Sequence, residues 1–122
     1  MKKSLYQRIG GDTAVRATVA KLYDKILSDD ELAPFFDHVD IERLRHSQHS
    51  FVSYAFGGMP HYTGRSLREA HSGAVANGLS DRHFDLVAAH LRAAMEELAV
   101  APELIAEALA IVGSTRSDVL GQ

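Results

Sequence analysis

Apolar residues return every three or four positions along nearly the whole chain, and nowhere do they alternate convincingly with polar ones at a spacing of two. That period marks amphipathic helices and leaves a sheet little to build on. "GGDTAVRATVAKLYDKILSDD" carries Val15, Val19, Leu22 and Ile26 at helical spacing, with Asp12 or Thr13 as the expected cap. The turn-rich "DDELAPFFDHVD" follows, with Pro34 and two aromatic residues. Asp40 is placed to cap a helix bearing Ile41, Leu44, Phe51, Val52 and Ala55, which Gly57, Gly58 and Pro60 end. Past the loop "MPHYTGRS", Ser66 caps a short helix from Leu67 to Ala76, stopped by Gly78. Ser80 caps a longer helix with Phe84, Val87, Leu91, Met95 and Leu98. Pro102 opens the last, through Leu104, Ile105, Ala108, Leu109 and Val112. The expectation is an all-α fold of about five or six helices, well above the roughly one-third helix of ordinary domains. The helix at Leu67–Ala76 is too short to hold alone and needs tertiary contacts or a ligand.

A chain of 122 residues is expected to form a single domain over residues 1–122, and 46% hydrophobic residues suffice for a core. The absence of cysteine excludes disulfides, thiolate metal sites, iron–sulfur clusters and cysteine nucleophiles. A net charge of −3 with no dense Lys/Arg block argues against a nucleic-acid surface. Charges interrupt every apolar stretch, so no membrane partner is expected. Two lysines follow Met1 with no apolar run behind them, so no secretory signal is expected and the location is taken as cytoplasmic. No obvious apolar surface stripe is visible, which favours a monomer. HExxH, P-loop, Rossmann and nucleophile-elbow motifs are all missing. Asp29, Asp30 and Glu31 read as a charged helix end, and His83 and His90 as surface residues.

Three polar groups point inward. On a wheel of about 100° per residue with Leu44 at the origin, Phe51 and Ala55 fall within about 20° and Gln48 at about 40°, inside the apolar stripe. His46 falls on the back of the helix and His49 on its polar flank. An inward amide costs about 1–3 kcal/mol if unbonded, so Gln48 either bonds backbone across the core or faces a cavity holding a polar ligand. By the same construction from Leu67, His71 lies on the inner face of its short helix among small residues. It is either a core histidine bonded to a carbonyl or a metal ligand through one ring nitrogen. Tyr23 turns inward beside Val19, and its hydroxyl needs a partner if buried. Phe35 and Phe36 form a core plug or the wall of a flat pocket. Together these groups suit a flat, mostly apolar cofactor, with one axial imidazole on one side and two hydrogen-bonding groups on the other.

Six stretches in order across nearly the whole chain resemble the group I truncated haemoglobins: "LYQRIGG", "KLYDKILSDDELAPFF", "RLRHSQHSFVSYAFGG", "YTGRSLREAH", "HFDLVAAHL" and "IVGSTRSDVL". The resemblance implies a truncated globin, a two-over-two helical sandwich around haem b. It makes His71 the proximal iron ligand, Tyr23 the distal tyrosine that bonds O2, and Gln48 the glutamine that supports it. Leu44 takes the position where other globins often keep a distal histidine or glutamine. Phe36, Phe51 and Phe84 would pack on the haem, and Tyr62 and Arg68 are candidates for its propionates. Some members carry a second iron-ligating histidine one residue before the distal glutamine, where this chain has Ser47. Others attach haem through a histidine in the final helix, but the last histidine here is His90. Val52 stands where some keep an aromatic residue. The implied function is reversible binding of O2, with CO and NO as further ligands, at a penta-coordinate iron. The alternatives are nitric oxide dioxygenation with an external reductase, a bis-histidyl electron-transfer or sensor protein through His46, and a cofactor-free helical interaction domain.

Overall fold

The computed structural model describes residues 3–37, 39–57 and 67–121, the last range without the side chains of residues 67–70 and 118. Among these residues every regular element is helical, and no helix is long and apolar enough to cross a membrane. The elements are α1 (Leu5–Ile9), α2 (Gly11–Leu27), a 3-10 turn (Ala33–Phe36), α3 (Ile41–Ala55), α4 (Leu67–Ala76), α5 (Asp81–Glu97), α6 (Pro102–Gly113) and α7 (Arg116–Leu120). The helices expected from periodicity are α2 to α6. The short α1 and α7 were not foreseen.

Two helix pairs make the sandwich. α2 packs on α3, α5 packs on α6, and α2 and α5 cross between the pairs. Val15, Val19, Leu22 and Ile26 of α2 meet Leu91 and Met95 of α5 and Ile105 and Ala108 of α6 in one core, closed by Leu5, Leu32 and Phe56. Burying each such aliphatic side chain contributes about 1.5–3 kcal/mol.

Start signals explain most boundaries. Asp40 caps α3 as expected, its carboxylate accepting from the N–H groups of Glu42 and Arg43 at 3.1 and 3.3 Å. Ser80 caps α5, and its N–H donates to Nδ1 of His83 at 3.0 Å. The cap expected at Ser66 lies outside the described residues. At α2 the expectation was wrong. The helix starts at Gly11 after Gly10, and Asp12 sits inside the first turn, where its negative charge complements the helix dipole. Gly10 adopts φ +122, so it can end α1 and begin α2 with no linker between.

Gly57 has a second reason to be glycine. Its φ is +91, and a Cβ there would stand 2.9 Å from Cβ of Ser4. The close approach comes from α1 docking on the end of α3, where the Tyr6 N–H donates to the Phe56 carbonyl at 2.9 Å. Gly57→Ala therefore combines a left-handed backbone with a steric clash. It is expected to cost about 1–2 kcal/mol from the backbone alone, read as a lower midpoint in denaturant unfolding.

Candidate functional site

The polar centre is built on α2 and α3. Tyr23 lies among the apolar residues of α2 and is 3% exposed. The side chain of Gln48 hydrogen-bonds its hydroxyl. Burial, the larger effect, pushes the phenol far above its ordinary pKa of 10.0. The Gln48 bond acts the other way, as an amide N–H donated to Oη does. Tyr23 thus stays protonated at any working pH and keeps its own O–H to donate elsewhere. Phe36 meets the Tyr23 ring edge-on, with centroids 6.1 Å apart and planes at 89°.

Phe36 is held by the corner after α2. The Asp29 carbonyl accepts from the N–H groups of Leu32 and Ala33 at 3.0 and 2.8 Å. Asp29 Oδ1 accepts from the Glu31 N–H at 2.9 Å, and Oδ2 lies 2.8 Å from Nε2 of His90 on α5. These contacts, with His90 the strongest, hold the Asp29 carboxyl below its ordinary range. Its folded-state pKa is depressed, so the stabilisation is present above the unfolded value of 3.8 and is lost as pH falls through the lowered folded value. Acid unfolding of Asp29→Asn should accordingly be flatter below about pH 4 than that of the parent; superimposable acid limbs would rule out a contribution from Asp29.

The corner also corrects two expectations. His83 and His90 are half-buried rather than surface residues. His90 bonds Asp29, and His83 meets the Phe35 ring edge-on at 5.0 Å between centroids. The turn after α2 folds back over the flank of α5, a covering that helical period alone does not register. Asp29 and Glu31 likewise have specific partners across the chain, the latter in a two-point bond to Arg82 at 2.7 and 2.6 Å.

Along α3 the inward stripe is unevenly covered. Leu44, Gln48, Phe51, Val52 and Ala55 are all half-buried, while the helix's fully buried residue is Ser53, on the far side of the wheel from Leu44. His46 lies exposed in an outer cleft with Arg16, Val19, Ala20, Glu42, Arg45 and His49. His49 bonds Asp12 of α2 at 2.6 Å, so the back of α3 is tied to α2 and cannot readily rotate.

On α4, His71, Ala74 and Val75 are half-buried. Phe84 of α5 is buried outside the main core cluster, with the Arg116 guanidinium 4.5 Å from its ring centroid. Tyr62 and the side chain of Arg68 lie outside the described residues. The structure thus brings Tyr23 into contact with both Gln48 and Phe36, sets Leu44 and Phe36 against the same core, and puts His71 on a separate helix. Arg116 escaped the sequence reading, since its partners are 31 and 35 residues away.

The family model for bacterial-like globins matches residues 4–120. The chain belongs to the bacterial-like globin family. This globin is 45% identical to a group 1 truncated hemoglobin of Synechocystis sp. over 98% of both chains. The 2/2 hemoglobin of Synechococcus sp., solved in the cyanomet state and with covalently attached heme, superposes with a TM-score of 0.95 at 42% identity, covering 98% of this chain and 100% of that one. The Fe(III) form of the Tetrahymena pyriformis truncated hemoglobin gives 0.91 at 34% identity, over 98% and 100% of the two chains. The expected fold, a truncated globin with its two-over-two sandwich, is the observed one.

Proposed function

We propose that this globin binds haem b without a covalent link and uses it to bind O2 reversibly. The half-buried apolar stripe of α3 carries the proposal, because it runs beside the buried Tyr23 phenol and its Gln48 partner and the described elements leave it only half-covered. Among the described elements, α3 has its extensive contacts with α2 and α4 has its own with α7. A flat apolar body between α3 and α4 would complete the burial of Leu44, Phe51, Val52 and Ala55, with Phe36 at its edge. The donor set fits haem as well, with an imidazole on α4 and neutral hydrogen-bonding groups on α2 and α3.

Haem, when bound, would supply an iron that takes a diatomic gas. His71, on α4, would hold the iron through a ring nitrogen. Tyr23 holds a proton at Oη and donates it, as a hydrogen bond, to a ligand on the α3 side. Gln48 fixes the phenol's orientation and leaves that proton outward. Phe36 and Leu44 exclude water from the donor pair, which strengthens it. His46 is exposed in the outer cleft, which argues against its serving as a second iron ligand. Tyr62 and Arg68 remain the candidates for the propionates, and Phe51 and Phe84 for packing on the ring.

Adding haem to the purified chain and recording its absorbance tests this directly. A Soret band, followed by a penta-coordinate spectrum in the ferrous, ligand-free state, is the expected pair of results. A six-coordinate ferrous spectrum would instead favour the bis-histidyl reading, and no Soret band would favour an interaction domain. Since no histidine follows His90, acidified organic solvent should extract all the haem; haem left with the polypeptide would overturn the non-covalent assignment.

The buried phenol also suits a second reading, conversion of nitric oxide and O2 to nitrate with an electron from an external reductase. Stopped-flow mixing of the oxygenated protein with nitric oxide, with and without a reductase, separates the two. Rapid, stoichiometric nitrate formation would favour the dioxygenase.

A further inference from the structure

The helix that carries His71 depends on a very short neighbour. α4 has ten residues, and its extensive contacts among the described elements are with α7, which has five. Leu120 of α7 is buried, and a Cβ placed on Gly121, the residue after α7, would meet the Val75 side chain of α4 at 3.9 Å. Neither helix is long enough to persist unaided. Among the described elements, then, what holds α7 also holds α4.

One side chain ties α7 to the rigid part of the fold. Arg116, the first residue of α7, sends Nη1 to Oδ1 of Asp81 at 2.9 Å and Nη2 to Oδ1 of Asp85 at 2.6 Å. The two carboxylates lie four residues apart on one face of α5, and the guanidinium spans both while stacking over Phe84 between them. Planar, two-pronged bonding with a cation over a ring is what arginine supplies and lysine supplies only in part. α5 itself is anchored in the core through Leu91 and Met95, both buried.

We infer that Arg116 is a positioning residue for the proximal histidine: clamped to Asp81, Asp85 and Phe84, it seats α7, and α7 seats α4 with His71. The inference rests on the haem reading above. Its test compares Arg116→Ala, Arg116→Lys and the parent, each loaded with haem. Haem transfer to an excess of a competing apoglobin should be about five-fold faster for Arg116→Ala, the scale of one exposed cation–π contact with its ion pairs. Arg116→Lys should recover part of the difference. Salt at about 1 M, where the Debye length is about 3 Å, should speed transfer from the parent more than from Arg116→Ala. The iron–histidine stretching band of the ferrous form should shift or broaden in Arg116→Ala, which a general loss of stability alone would not produce. A variant that lowers the unfolding temperature but matches the parent in transfer rate and band overturns the assignment. A parent that shows no Soret band overturns the haem reading, and this assignment with it.

Discussion

Tyr23→Phe is expected to speed O2 release by about ten- to hundred-fold. The substitution keeps the ring, and so keeps the edge-on contact with Phe36 and the packing of α2. It removes one proton donor. A gas ligand that draws electron density onto its outer atom makes a charge-assisted acceptor, and such a bond contributes about 1.5–3 kcal/mol. Each 1.36 kcal/mol is about tenfold in rate, which sets the range. CO draws less density outward, so its release should change much less, and the ratio of the two effects separates hydrogen bonding from a change in access. Burial strengthens the expectation: with its pKa far above the ordinary phenol value, Tyr23 keeps its proton throughout the usable pH range, and the parent's O2 release should show no alkaline step from that group. Rapid-mixing measurement of O2 and CO release on parent and variant is the check. Equal O2 release rates would remove Tyr23 from the distal site.

Periodicity carried the sequence reading furthest where helices are long and regular. The wheel on α3 put Gln48 inside and His46 on the back, and both stand there, because fifteen residues of unbroken helix preserve phase. It also put Leu44, Phe51 and Ala55 on the inner face, but not that this face is left half-covered, which depends on how far the neighbouring helices stand off. α1 was missed although its signal was present: Ser4 and Gln7 form a capping box, each side chain bonding the other's N–H at 3.2 Å. A polar cap at Asp12 or Thr13 lost to Gly10, whose positive φ lets two helices meet without a linker. Pairs across the chain leave no periodic trace. The pairing of Tyr23 with Gln48 was implied by the resemblance and not by the wheel, while the Asp29–His90 contact and the Arg116 clamp became visible only once distant segments were in place. Asp29, His90 and Arg116 were legible as types, and their partners were not.

Loss of haem is the outcome expected of His71→Ala, with transfer to a competing apoglobin accelerated by more than about 100-fold. Removing an outer partner of a metal-ligating histidine already costs about 10–100-fold in affinity, and removing the ligand itself should exceed that. Alanine is the best helix former, so α4 gains rather than loses intrinsic propensity, and its packing on α7 is untouched. The fold around the core of α2, α5 and α6 should therefore persist, with helical circular dichroism near that of the parent stripped of haem. The truncated side chain leaves room for free imidazole. Supplying it should restore a ferrous spectrum close to the parent's and slow the loss, which general destabilisation of the pocket would not allow. His46→Ala serves as the comparison, because that imidazole is exposed in the outer cleft; its haem retention and ferrous spectrum should equal the parent's. If His71→Ala instead takes up haem with an unchanged ferrous spectrum, the iron is held elsewhere, and the roles assigned to Tyr23 and Gln48 fall with the proximal bond, since both derive from an iron placed between α3 and α4.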